Sequence, residues 1–326
     1  MPHESLINSL TEKNIISETQ AIQISNAEKN EPFSVHWELR SLLYLGITFL
    51  STGLGILIYK NIDTIGHNIL IALIALVCIA CFCYAFLHRK TFTWQESEIT
   101  NNLEDFALLG GCLTFLTLES YLQYQYNIFG TRYGLAAFLP AVLFFFCAYR
   151  FDHRGVLSMA ITALASGVGV SIAPVKLWET NDFNSQSLVI TALLLGSCLV
   201  FIGWISEQKA LKKHFSFTYF LLGGNLAFVA ALAGLFTFDY KIIYFISVAI
   251  LSFLYIAHAK QTHSYIFMLM GFIYGYIAFT YGIFKIMPVD SDPFFFMIYF
   301  IASGAGVIVF LIKIKELIGK KNEKSI

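Results

Sequence analysis

Ten stretches of mostly apolar residues, each about long enough to cross a bilayer, run from Ser41 to Ile312. A helix rises about 1.5 Å per residue, so roughly 20 residues cross a hydrocarbon core about 30 Å thick. The stretches fall at 41–59, 68–87, 106–126, 133–149, 155–173, 187–205, 215–236, 242–258, 264–284 and 294–312. They are continuous rather than alternating, which selects helices over the strands of a membrane barrel. Composition agrees: 57% of the residues are hydrophobic and 13% charged. A water-soluble domain could not hide so much apolar surface behind so few charges. The expected fold is all-α. It is a polytopic transmembrane helix bundle of about ten spans over 41–312, with a small cytoplasmic N-terminal helical hairpin at 1–36 and a basic cytoplasmic tail at 313–326. Short links at 60–67, 150–154 and 237–241 predict antiparallel hairpins.

Charge matters by position, since the formal net charge is zero and offers no basic field to nucleic acid. With the N-terminus inside, sixteen of the 21 basic residues fall in inner segments and five in outer ones. Lys60, Arg132, Lys176, Lys241 and Lys285 are the outer five. Basic residues gather on the cytoplasmic side of membrane proteins, so both termini are expected in the cytoplasm. Residues 1–40 hold six acidic residues and no apolar core of the signal-peptide kind, so the first span is expected to stay uncleaved. Lys320, Lys321 and Lys324 suit an anchor on anionic lipid.

Residues 1–36 read as two short helices. Ser17 opens the second, with Gln20 three residues on in a capping-box arrangement. Such a hairpin either caps the membrane face of its own bundle or docks a protein partner.

A few polar groups inside the spans need a reason. Glu119 lies in span three, about 4–5 Å beyond its midpoint. An ionisable residue at that depth points to function, unless the span is shifted and Glu119 reaches the outer interface beside Tyr121 and Tyr124. Asn225 falls at the middle of span seven, where its amide needs a partner, either another helix or a substrate. Tyr274 and Tyr281 lie seven apart on one face of span nine and either line a polar path or pack. The turn Arg150-Phe151-Asp152-His153-Arg154-Gly155 puts Asp152, His153 and Arg154 at the cytoplasmic side, where charges fix orientation and cap helix ends; His153 could also sense pH.

All six cysteines fall in apolar stretches and read as packing residues rather than disulfides. Cys78, Cys81 and Cys83 do not converge as metal ligands should, and no histidine is suitably spaced. No Walker, zinc-protease or nucleophile-elbow pattern occurs. No catalytic residue, metal site or cofactor is expected. Two internal self-matches, 108–115 with 221–228 and 165–170 with 302–307, imply contradictory repeats. Small residues recurring for close helix packing account for both.

Several of these features occur in an order that resembles a bacterial family of predicted integral membrane proteins, domain of unknown function 2157. Ile16-Ser17-Glu18-Thr19-Gln20-Ala21 fits its N-terminal Ile-Ser-x-x-Gln-Ala pattern. Gly46, Gly53 and Gly55 fit its glycine-rich first span. Asn61-Ile62-Asp63 fits an Asn-x-Asp step, with Ile62 where the family often has Trp. The resemblance implies a bacterial cytoplasmic-membrane protein and no particular activity. Two functional classes follow. One is a non-enzymatic membrane component that senses or scaffolds, using residues 1–36 as its contact. The other is a secondary transporter or permease for a small solute, with a polar path near Glu119 and Asn225.

Overall fold

The computed structural model describes residues 17, 19–20, 36–89, 91–96, 102–130, 132–172, 185–286 and 293–318. It is all-helical, with no strand among the described residues. The long helices are α1 (His36–Ile65), α2 (His67–Leu87), α3 (Asn102–Tyr126), α4 (Tyr133–Phe151), α5 (Arg154–Ile172), α6 (Gln186–Gln208), α7 (Ser216–Thr237), α8 (Lys241–Thr262), α9 (Tyr265–Ile286) and α10 (Pro293–Ile318), with a 3-10 turn, Lys213–Phe215, before α7. Each expected span therefore corresponds to one helix.

Eight of the ten, α2 and α4 to α10, are long and apolar enough to cross a membrane. The other two expected spans, α1 and α3, fall outside this measure. In α1 the described apolar stretch is Ser41–Ile56. In α3 the acids Glu104, Asp105 and Glu119 and the amides Gln123 and Gln125 dilute the apolar run.

The chain forms two compact units, residues 1–61 and 62–326. Most of α1 belongs to the first. There the Ser17 Oγ accepts from the Gln20 N–H at 3.3 Å, and the Ser17 N–H donates to Gln20 Oε1 at 3.0 Å. These are the two reciprocal bonds of a capping box. The remainder of the expected 1–36 hairpin lies outside the described residues, as do residues 319–326 of the tail. The expected link at 60–67 is instead helical through Ile65. Its only strong helix breaker is Gly66, which takes a left-handed φ of 79°.

In the second unit, α2 packs on α3, α4 on α5, α6 on α7 and α8 on α9. α7 is the centre: it also touches α5, α8 and α9, and more than half of its apolar window is buried. Two apolar clusters meet along it. One joins α2 to α7 around Phe144, Leu157 and Phe215. The other joins α6 to α10 around Phe228, Val248 and Met268.

Close approach needs small residues. A Cβ on Gly196 of α6 would lie 2.6 Å from the Ala227 nitrogen and the Gly223 oxygen of α7. Both are backbone atoms and cannot step aside. A Cβ on Gly110 of α3 would meet nothing nearer than the Cys81 Sγ at 3.8 Å. Gly196→Ala should therefore lower stability by about 1–3 kcal/mol through overpacking. Gly110→Ala should leave it unchanged or raise it by up to about 1 kcal/mol. Thermal unfolding of the two purified variants in detergent checks the contrast, and equal midpoints would contradict the packing described.

Candidate functional site

The strongest electrostatic feature is a buried charge cluster where three connections meet. α4 ends at Phe151, and Asp152 follows in the left-handed region, φ 61° and ψ 38°. That conformation turns the chain straight into α5. His153 then caps α5, its Nδ1 accepting from the Val156 N–H at 3.1 Å. Arg154 reaches out to an exposed ion pair with Glu96. Such a pair contributes at most about 1 kcal/mol.

Asp152 points inward. Its Oδ1 receives Lys212 Nζ at 2.7 Å and His214 Nε2 at 2.6 Å. The three side chains are 6%, 2% and 5% exposed. A carboxylate accepts only, so His214 carries its proton on Nε2. Lys212 also sits over the rings of Phe92 and Phe215, at 5.4 and 5.9 Å.

The backbone is tied into the same cluster. The Lys212 N–H donates to the Trp94 carbonyl at 2.8 Å. Ser206 Oγ donates to the Leu211 carbonyl at 2.6 Å and the Lys212 carbonyl at 3.2 Å. Ala210 and Lys212 have positive φ, 51° and 48°. Each such residue costs on the order of 1 kcal/mol or more and persists where its surroundings over-determine it. The cluster thus fastens the 91–96 connection, the α4–α5 turn and the α6–α7 connection together.

A second polar group lies between α7 and α9. Tyr274 donates to Asn225 Oδ1 at 2.7 Å, and Asn225 Nδ2 donates to the Leu221 carbonyl of its own helix at 2.8 Å. The Tyr274 ring stacks on Phe228, 4.6 Å between centroids. Tyr281 is separate: its hydroxyl accepts from Lys241 Nζ at 2.9 Å, and its ring meets Phe236 edge-on. The spacing of Tyr274 and Tyr281 thus serves two interhelical contacts.

Glu119 is 7% exposed, and its Oε1 has no hydrogen-bond partner. It therefore faces protein, while Tyr124 on the same helix is 85% exposed. α3 packs on α2, α4 and α5, whereas Asn225 bonds within α7 and to α9. No bond joins Glu119 to Asn225 among those described.

The thiols hold one surprise. Cys112 and Cys147 are buried side by side between α3 and α4, and Cys78 reaches the Gly111 carbonyl at 3.7 Å. Cys83 and Cys198 are exposed on other faces. Asn61 and Asp63 fall on the last turns of α1, and their side chains lie outside the described residues.

Sequence reasoning missed both groups: Lys212 was counted only among the inner basic residues, and His214 was not singled out. The available signal was their spacing, two apart in a loop expected on the same side as Asp152.

A chain built mainly of apolar helices able to cross a bilayer is a membrane protein with several spans. Over residues 8–157 it matches the family described as predicted membrane protein (DUF2157). The match contains the 16–21 and 61–63 motifs, Glu119 and the Asp152 turn, so it extends well beyond the motifs that carried the resemblance. No curated protein and no solved structure matches the chain.

The charge cluster makes a testable demand. Asp152→Asn keeps a residue suited to left-handed backbone but strands the buried Lys212 ammonium. It should lower stability by about 3–5 kcal/mol. Adding Lys212→Met should recover most of that loss. Thermal midpoints of the single and double variants in detergent decide the matter, and a double variant no more stable than Asp152→Asn would show that the pair is not coupled.

Proposed function

We propose that this protein is a ten-span component of the bacterial inner membrane, with both termini cytoplasmic, that senses or scaffolds rather than catalyses. The observation that carries this reading is how the polar groups inside the bundle are used. Asn225 and Tyr274 bond to each other, Tyr276 bonds Ser303 at 3.1 Å, Thr280 bonds Tyr299 at 2.8 Å, and Tyr149 bonds Tyr219 at 3.0 Å. These are helix-to-helix links of the kind that hold membrane bundles together. Groups spent on such links are not free to hold a passing solute. The charge cluster likewise closes on itself and braces the face that carries most of the basic residues. On the topology read from the basic residues, residues 1–36 are cytoplasmic and are the contact for a protein partner.

A transporter is the second reading, and Glu119 alone favours it. Its buried Oε1 has no hydrogen-bond partner among the described residues, and it is the one carboxylate so left, beside the hydroxyls of Ser185 and Ser252.

Topology reporters test the frame. Fusions after Arg154 and Lys213 should report cytoplasm, and one at Lys176 the outside. A cytoplasmic signal at Lys176 would sink the ten-span arrangement. Deleting residues 1–36 should leave the spans inserted, because their apolar runs insert on their own account. The same deletion should release proteins that co-purify with the full chain. Partners that stay bound to the truncated chain would remove the docking role.

A further inference from the structure

The surroundings of Glu119 are recoverable from the way α3 and α4 pair. Cys112 of α3 lies against Cys147 of α4 in one buried cluster, and three residues further Phe115 meets Phe144 edge-on, 6.3 Å between centroids. Three steps forward on α3 match three steps back on α4, so the pair is antiparallel and in register. One more helical turn carries Phe115 to Glu119 and Phe144 to Pro140. Pro140 is buried and lies inside α4. It has no N–H, so the carbonyl of Ala136 loses the donor that residue 140 supplies in an unbroken helix. Helix carbonyls point toward the C-terminal end, so that oxygen is aimed at the level of residue 140, which is the level of Glu119.

Among the described residues of the helices packed on α3, the charge on Glu119 also lacks an opposite. α3 packs on α2, α4 and α5. Residues 134–149 of α4 and 155–172 of α5 contain no Lys, Arg or His, and α2 has only His67. The Nδ1 of His67 is paired with the Tyr121 hydroxyl at 2.6 Å. The other acids of α3, Glu104 and Asp105, lie some ten residues or more toward its other end. A buried carboxylate with no side-chain counter-charge takes its positive charge from outside the protein.

We propose that Glu119 and the main-chain carbonyl of Ala136 form an intramembrane site for one positive charge, a proton or a monovalent metal cation. This names what Glu119 holds under the transport reading, but the site stands on burial, register and missing counter-charge. It remains a site whether or not the charge crosses the membrane.

The test is modification of the full-length protein in detergent by dicyclohexylcarbodiimide, an apolar reagent that reacts with protonated carboxyl groups. The modified residue is read by peptide mass spectrometry. Glu119 should be modified, faster as pH falls, and Glu119→Gln should abolish the product. Protection by sodium or lithium chloride, but not by choline chloride, identifies a metal cation. Equal rates in all three salts identify a proton. Pro140→Ala returns a donor to the Ala136 carbonyl. It should slow modification at fixed pH, or weaken protection by sodium, roughly tenfold, the scale of one hydrogen bond. A wild-type protein in which Glu119 stays unmodified at every pH, or reacts without regard to pH and salt, overturns the site. A Pro140→Ala protein that reacts like wild type overturns the part given to Ala136. Proteoliposomes that carry no proton or sodium flux, while Glu119 still reacts, would end the transport reading and leave the site in place.

Discussion

In hydrocarbon there is no water to satisfy a polar group, so every one that is buried must find its partner inside the protein. That constraint organises this molecule. The charges that cannot reach water close on one another at one end, where Asp152 receives both Lys212 and His214. The uncharged polar groups deeper in the bundle pair across helices, as Asn225 and Tyr274 do. Threonine and serine hydroxyls return to their own helix carbonyls, as Thr114 does to Gly110 at 2.7 Å. Among the described residues Glu119 is the ionisable group that these solutions leave over, beside the hydroxyls of Ser185 and Ser252.

The same constraint explains why α7 is central. A helix surrounded by protein needs small residues where its neighbours press and a hydroxyl or amide only where a partner waits. Gly223 admits Leu199 of α6, and Gly224 admits the Tyr255 ring of α8, whose hydroxyl then donates to the Phe220 carbonyl at 2.7 Å. Asn225 follows directly and takes Tyr274. Three consecutive residues thus each receive a different contact. A leucine at either glycine would remove the seat of the neighbouring helix.

Much of the fold was legible because it rests on length and hydropathy. Each of the ten apolar stretches became a helix, and the Ser17–Gln20 cap was visible as a four-residue pattern. The link at 60–67 was misread because loop-like residues such as Asn61 and Asp63 can continue a helix when nothing but Gly66 breaks it. The glycine clusters could not be ranked from sequence. Gly167 is pressed by the backbone of α4 at Phe138, whereas Gly304 and Gly306 meet nothing within 4 Å among the described residues, although the two patterns read alike. The site was half legible. Depth alone singled out Glu119 and Asn225. Which of them had a partner depended on what lies opposite across helices, and Tyr274 is 49 residues from Asn225. Lys212 was hidden for a different reason. A lysine in a loop is ordinarily solvated, and only the left-handed turn at Asp152 brings a carboxylate beneath it.

The family match stops at residue 157, just inside α5, yet the packing does not stop there. α5 continues to pack on α7, and the apolar cluster around Phe144 and Leu157 also contains Phe215 and Tyr219. The charge cluster crosses the same line: the carboxylate of Asp152 lies within the match, while Lys212 and His214 lie beyond it. A buried lysine without its acid would be strongly destabilising, and a buried acid without its bases equally so. The segment after residue 157 is therefore not an appendage to a self-sufficient first half. Whatever the matched region does in this chain, it does as part of one bundle, with its inner turn held by groups from outside the match. Glu119 differs in this respect. Its position is set by α3 and α4, both of which lie within the match, so the chemistry it supports belongs to the part of the chain that the family covers.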